Sequence, residues 1–96
     1  MQIDPQVFVA APEPTGSPPL RALWFDARGD WNAAHKCVDE LSEPDAMWVH
    51  AYLHRKEGDA LNAGYWYGRA GRTPCTGPLA EEWLAILAAL CARDVT

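Results

Sequence analysis

The sequence lacks an excess of positive charge, a membrane-length apolar segment and a paired set of cysteines. Thirteen acidic and eight basic residues give its 96 residues a formal charge of −5, which repels nucleic-acid phosphates and anionic lipid headgroups at long range. No apolar run approaches the roughly 18 residues that a membrane span needs, and the N-terminus has no positively charged n-region. We therefore expect a soluble cytoplasmic protein that has neither a nucleic-acid nor a membrane partner.

The cysteines and glycines exclude further kinds of site. The three cysteines, Cys37, Cys75 and Cys91, form no CxxC pair and have no partner at metal-ligand spacing, so we expect reduced thiols. The glycines of "GRAGRTPCTG" lack the Lys-Ser/Thr ending of a phosphate-binding loop. Because no complete catalytic motif is present, the sequence favours a protein that is not an enzyme, and it predicts no cofactor.

Aromatic residues and prolines are abundant, and they lie in different parts of the chain. Five tryptophans and three tyrosines supply the bulk for one modest core without disulfides. Residues 1–19, "MQIDPQVFVAAPEPTGSPP", contain five of the eight prolines, which remove backbone donors and restrict φ. We therefore predict an extended N-terminal arm over residues 1–19, with Val7 and Phe8 along the surface of a single domain formed by residues 20–96.

From Leu20 onward, apolar residues recur at helical spacing. Leu20, Leu23 and Trp24 form one stripe. It ends at Gly29, since glycine suits the left-handed position after a helix, and Asp30 is suited to cap the next one. Repetition of this pattern predicts five helices and no strand. They run from Leu20 to Gly29, from Asp30 to Leu41, from Pro44 to about Glu57, from Asp59 to Gly71, and from Pro78 onward.

The first four predicted helices form an internal repeat. A shift of 29 residues aligns Ala22 with Ala51 and superimposes the two Gly-Asp pairs, which indicates two hairpins of one design. The segments "GDWNAA" and "GDALNA" resemble the G-D-x-x-x-A signature of tetratricopeptide repeats. The resemblance implies an all-α fold of two tetratricopeptide-like helical hairpins, with the fifth helix as a C-terminal cap.

A second resemblance covers residues 20 to 90. Residues 50–67, "HAYLHRKEGDALNAGYWY", follow the motif H-A-Y-L-H-R-x-E-G-D-x-x-N-A-x-Y-W-Y, and this stretch is similar to that of a group of small microbial all-helical proteins. The resemblance implies a fold family and no mechanism, so function has to be argued from the residues.

The motif contains two histidines one helical turn apart. His50, His54 and Glu57 lie on one side of the third predicted helix, so a metal ion is able to meet all three side chains. His35, on the neighbouring helix of the hairpin array, is the alternative third ligand. Ala51 stands where the HExxH zinc motif has its glutamate, so a metal-binding or hydrolase-like protein is the less favoured of two hypotheses.

The favoured interpretation is that His50 and His54 are buried packing residues. The alignment of the hairpins places both on the face that the first helix of a hairpin turns toward the second. Neutral imidazoles buried there need hydrogen-bond partners. The expected partners are Tyr65, Tyr67 or a carboxylate such as Asp26 or Asp30.

Three consecutive aromatic residues, Tyr65, Trp66 and Tyr67, point in directions about 100° apart on a helix, so they cannot all face one core. At least one ring is expected at the surface or in a groove. We therefore predict a small helical interaction module that binds a protein segment, or a second copy of itself, through an aromatic and histidine-lined face. The candidate binding residues are Trp24, Asp26, His35, His50, His54, Glu57, Tyr65, Trp66 and Tyr67.

Four basic residues of the second half, Arg55, Lys56, Arg69 and Arg72, lie in "HRKEGD" and "GRAGR". We interpret them as a solvated face of the domain, and an anion site is the alternative.

Overall fold

The computed structural model of the protein describes residues 4–94, in which the chain forms six α-helices and no strand. The helices are α1 (Pro5–Ala10), α2 (Pro18–Ala27), α3 (Trp31–Val38), α4 (Pro44–Glu57), α5 (Ala60–Ala70) and α6 (Leu79–Asp94). The predicted all-α fold class is confirmed. Within the described residues, no helix is both long enough and apolar enough to cross a membrane.

The predicted extended arm over residues 1–19 is wrong for Pro5–Ala10, which form α1. Proline is tolerated at the first position of a helix, where its missing N–H would have no partner in any case. The carboxylate of Asp4 caps this helix by accepting the Gln6 backbone N–H at 2.8 Å. For the same reason α2 begins at Pro18 rather than Leu20. Residues 1–3 of the arm lie outside the described residues.

The arm is attached to the rest of the domain by the Phe8 ring and by hydrogen bonds from Arg28 and Trp24. Phe8 is buried, and its ring packs edge-on against Trp83 with centroids 6.0 Å apart. The Arg28 guanidinium donates to the Ala11 carbonyl at 2.7 Å. The expectation that Phe8 lies along the domain is therefore confirmed, while the side chain of Val7 is largely exposed.

The two Gly-Asp pairs join consecutive helices as predicted. Gly29 and Gly58 adopt φ values of 80° and 92° after α2 and α4, a conformation that costs glycine little. The carboxylates of Asp30 and Asp59 then accept backbone N–H groups in the first turns of α3 and α5, at 3.0 and 3.1 Å. Each pair therefore ends one helix and begins the next.

α3 is shorter than predicted, because it ends at Val38 rather than Leu41. The Leu41 backbone N–H donates to the Val38 carbonyl at 3.1 Å, which is the tighter spacing of a 3₁₀ turn. This turn directs the partly buried Leu41 side chain against the core.

α4 is the central helix of the fold. It packs against α2, α3, α5 and α6, and α2 also packs against α3 and α6. Ala22 and Ala51, the small residues that the repeat aligns, are both fully buried. The α2-α3 and α4-α5 hairpins are therefore present with α6 against them, and their relation to tetratricopeptide repeats stays a prediction. The largest fully buried side chains are Tyr67, Leu23, Leu53, Ile86, Leu87, Val38 and Val49.

Polar side chains lie on two nearly opposite sides of α4, as a rotation of about 100° per residue requires. His50 and His54 lie on the side of α3. Tyr52 and Lys56 bond to a carboxylate of α2, and Arg55 bonds to a carboxylate of α6. The central helix therefore separates two polar clusters of different chemistry.

Candidate metal centre

The three histidines of the chain meet at one place. His35 comes from α3, His50 and His54 come from α4, and one ligand nitrogen of each lies within 4.8 Å of the other two. The Nε2 atoms of His35 and His50 are 3.0 Å apart. We call these three residues the histidine cluster. Of the two candidates for a third ligand, His35 is therefore the one that the fold places with both histidines of α4.

Two tryptophans fix the orientation of the rings. The Trp31 indole stacks on His35, with centroids 4.8 Å apart and planes 10° apart. The Trp66 indole stacks on His50 at 4.0 Å and 22°. His50 and His54 are only 3% and 7% exposed, whereas His35 is partly exposed. The cluster is therefore rigidly packed and is reached from solvent on the side of His35.

Carboxylates lie behind two of the rings. Nδ1 of His54 bonds to Oε1 of Glu57 at 2.7 Å, and Nδ1 of His35 lies 3.9 Å from Oδ2 of Asp39. Metal-binding histidines characteristically direct the nitrogen opposite the metal at such a group. Glu57 thus occupies an outer position behind His54. With Asp59 it forms a second group of possible ligands around His54, but both of these carboxylates are exposed.

Inside the histidine cluster, N–H donors are outnumbered by nitrogen lone pairs once the two Nδ1 protons that face carboxylates are set aside. When the Nδ1 protons of His35 and His54 face their carboxylates, Nε2 of each neutral ring carries a lone pair. A neutral His50 has a single N–H to donate. Its Nδ1 is buried without a hydrogen-bond partner, alone among the buried side-chain nitrogens and oxygens of residues 4–93. A metal ion accepts the lone pairs that converge at the Nε2 atoms. It would leave Nδ1 of His50 on the other side of the ring, so that atom is not itself evidence for the ion.

Two of the rings, those of His35 and His50, have the charge state that metal binding needs. Burial, and then the neighbouring His35 and His54, lower the pKa of His50 to about 4. Burial, and then His54, also lower the pKa of His35. Both imidazoles are therefore neutral at pH 7, so protons do not compete strongly for the ligand nitrogens there.

The other predicted site residues are divided between the two sides of α4. Tyr65 is 58% exposed, and its ring lies edge-on to Trp66. Asp26 and Tyr67 instead bond to groups on the far side of α4. Trp24 donates its indole N–H to the Ala11 carbonyl at 3.1 Å, which ties the arm to α2. The nine candidates therefore do not line one continuous face.

The prediction that His50 and His54 are buried is confirmed. The partner of His54 is a carboxylate, as expected, but none of the four residues named as partners bonds to either histidine. His54 bonds to Glu57, and His50 pairs with His35. The reason is that the four expected partners are engaged elsewhere or exposed. Asp26 bonds to Tyr52 and Lys56, Tyr67 bonds to Glu82, Asp30 caps α3, and Tyr65 is at the surface.

Two residues of the centre, Trp31 and Asp39, were missed by the sequence reasoning. They stand four residues before and four residues after His35, so all three share one face of α3. The i, i+4 spacing was therefore the available signal. This spacing places Trp31 and Asp39 beside His35, but it assigns them to a site only once the packing of α3 on α4 shows that His35 belongs to one.

On the other side of α4, two buried carboxylates form what we call the carboxylate network. Asp26 and Glu82 are each 4% exposed. Asp26 accepts from Tyr52 and Lys56, both at 2.8 Å. Glu82 accepts from Arg55 at 2.9 Å, Trp48 at 3.2 Å and Tyr67 at 2.6 Å. Burial, and then the adjacent carboxylate, raise the pKa of both tyrosines.

Comparison with protein-family models, with curated proteins and with solved structures finds no match for this chain. The functional argument therefore rests on the geometry of the histidine cluster.

Proposed function

We propose that the protein binds a divalent transition metal ion through the imidazoles of His35, His50 and His54. The observation that supports this most is the convergence of three imidazole nitrogens within 4.8 Å of one another, in a cluster where the outer nitrogens of His35 and His54 face carboxylates. Imidazole suits Zn²⁺, Cu²⁺, Ni²⁺ and Fe²⁺. Three protein ligands with one open position are typical of zinc sites that carry a bound water, so Zn²⁺ is the ion that we expect.

The distances are compatible with a tetrahedral ion. Zn–N bonds of about 2.0–2.1 Å set the ligand nitrogens of a tetrahedral site roughly 3.3 Å apart. The Nε2 atoms of His35 and His50 are 3.0 Å apart, and no ligand separation in the cluster exceeds 4.8 Å. Ion binding therefore needs an adjustment of side chains within the existing helix packing.

The open position determines the chemistry that such a centre supports. Zn²⁺ with three histidine ligands lowers the pKa of its bound water to about 7 and polarises an oxygen ligand. The ion would be reached from the side of His35, the partly exposed member of the cluster. A hydrolase-like activity stays a prediction that depends on this centre.

Titration calorimetry of chelator-stripped protein with Zn²⁺ tests the proposal. We expect one ion per chain, and a loss of at least a hundredfold in affinity in His35→Ala and His54→Ala. Cys37→Ser is the matched control, because a thiol of α3 is the alternative zinc ligand on the same helix. It is expected to bind as the wild type does. Failure to bind one ion, or binding that depends on Cys37 and not on His35, would exclude the centre.

We also propose that the exposed side of α5 joins two copies of the chain, as the sequence hypothesis of an interaction module suggests. One observation favours this: Leu61 is 92% exposed and Tyr65, one turn later, is 58% exposed. Gly64 and Gly68 beside them carry no side chain that would hold a second helix away. Light scattering with size-exclusion chromatography checks it. We expect a dimer that Leu61→Lys dissociates, and a monomer at millimolar wild-type protein would contradict the proposal.

A further inference from the structure

Arg69 of α5 is placed to bind an anion beside the histidine cluster. Its guanidinium carbon lies 4.8 Å from the ring of Trp66 and 5.7 Å from the ring of Tyr65. These aromatic residues stand three and four positions before it, on the same face of α5. In the described part of the chain no carboxylate pairs with Arg69. Its fork of N–H donors is therefore held by aromatic rings and available to a ligand.

The other basic residues that the sequence grouped with Arg69 are already engaged. Arg55 and Lys56 bond to Glu82 and Asp26. Arg72 stacks on Trp48, 3.3 Å from the ring centre, on the side of the carboxylate network. The four basic residues therefore do not form one anion site, and Arg69 alone stands near the histidines.

Trp66 connects Arg69 to the cluster, because the same indole stacks on His50 at 4.0 Å. Arg69 and His50 therefore pack against one and the same indole ring.

The charges around the centre favour an anion at the open position. A divalent ion held by three neutral imidazoles keeps its full charge of +2, and Arg69 adds a further positive charge. Asp39 and Glu57 lie at the Nδ1 atoms, on the far side of the rings from Nε2. The two carboxylates therefore lie behind the rings of His35 and His54, and the charge of the ion would face the open position.

We propose that a phosphate group binds at the open position of the metal and is held at the same time by Arg69. This inference rests on the proposed metal centre. Phosphate suits the site because its oxygens can bind the metal and a planar guanidinium together, with two parallel N–H···O bonds to the arginine. The ligand class is therefore inorganic phosphate or the phosphate group of an ester.

Cobalt-loaded protein tests the metal centre and the phosphate proposal separately. Co²⁺ bound at the cluster gives a visible absorption band, and inorganic phosphate that enters the coordination sphere changes that band. We expect phosphate to shift the wild-type spectrum saturably. In Arg69→Ala we expect phosphate to bind about ten to a hundredfold more weakly, with unchanged Co²⁺ affinity. Arg72→Ala, which also removes an arginine from an aromatic ring, is expected to retain wild-type phosphate affinity.

Each contrary result has a distinct meaning. Absence of the cobalt band in the wild type would exclude the metal centre itself. A band that phosphate leaves unchanged, or that changes equally in Arg69→Ala, would overturn the phosphate proposal and leave the metal centre intact. An acetate titration that matches the phosphate titration would also overturn it, because a general anion site would then explain the data.

Arg69→Lys, which keeps the charge but not the fork, is expected to give an intermediate affinity. Phenyl phosphate that shifts the band as phosphate does would extend the ligand class to esters, and an unchanged band would restrict it to the free ion.

Discussion

The histidine cluster and the carboxylate network lie on opposite sides of α4 and are buried to a similar degree, but their hydrogen bonding differs. Asp26 and Glu82 are each 4% exposed, and both oxygens of each carboxylate accept a hydrogen bond. His50 is 3% exposed, and its Nδ1 has no partner. Burial alone therefore does not distinguish a structural cluster from a binding site, whereas the balance of donors and acceptors does.

The difference follows from what each cluster connects. The carboxylate network joins α2 and α6 to α4, and Tyr67 links α5 to Glu82. Such a buried, fully bonded network fixes how the helices pack and leaves no group for a ligand. The histidine cluster makes one hydrogen bond between helices, which joins the Nε2 atoms of His50 and His35. It therefore contributes fewer hydrogen bonds to helix packing than the carboxylate network does, and it keeps nitrogen lone pairs for another partner.

The largest expected effect comes from breaking the carboxylate network. Glu82→Ala leaves the buried Trp48 and Tyr67 and the partly buried Arg55 without their shared acceptor. Removal of one partner from a buried ion pair typically costs about 3–5 kcal/mol. We expect the free energy of unfolding in urea to fall by about this amount. Glu81→Ala removes the same charge from an exposed neighbour and is expected to change it by less than about 0.5 kcal/mol. Equal losses in the two variants would remove the structural role of the network.

Acid should destabilise the metal-free protein mainly through the histidine cluster. Burial lowers the pKa of His50 to about 4 from an ordinary value of 6.5, so the folded state favours the neutral ring. Its contribution is fully present above pH 6.5 and is lost as the pH falls toward 4, because the unfolded chain binds the proton first. The full difference is about 3 kcal/mol. Urea unfolding at pH 5 to 8 in chelator measures it, and a flat profile between pH 5 and 7 would contradict it.

A smaller effect is expected from the carboxylate behind His54. Glu57→Ala removes the acceptor of the His54 Nδ1 proton, and loss of such an outer partner typically weakens metal affinity by about 10- to 100-fold. Zn²⁺ calorimetry measures the change. Glu40→Ala, which removes one exposed charge at the end of α3, is the control and should bind normally. Equal affinity in both variants would mean that Glu57 does not orient the ligand.

The helices were predictable from local patterns, and the arm was not. The Gly-Asp turns at residues 29 and 58 act through their own φ angles and caps, so a short stretch of sequence contains the whole cause. The prediction of an extended arm is wrong because proline excludes a helix only at interior positions, and not at the first position. Pro5 at the first position of α1 is compatible with helix.

The site was predictable only in part, for a different physical reason. His50 and His54 share a helix, so their spacing alone places them together. His35 joins them through the packing of α3 on α4, which no local pattern determines, and the sequence kept Glu57 as an equal alternative. The residues named as hydrogen-bond partners of the histidines are wrong because Asp26 and Tyr67 bond to groups on the opposite side of α4.

The smallest expected effect has the opposite sign and tests the comparison most directly. A buried acceptor without a partner costs about 1–3 kcal/mol, and His50 carries one. Leucine keeps an apolar contact with Trp66 and removes that cost, while the partly exposed His35 can bond to water instead. We therefore expect His50→Leu to raise the free energy of unfolding by about 1 kcal/mol in chelator at pH 8, to flatten the acid dependence, and to abolish Zn²⁺ binding. A fall of more than about 1 kcal/mol in the free energy of unfolding would mean that His50 stabilises the fold as Glu82 does. The histidine cluster and the carboxylate network would then both be structural.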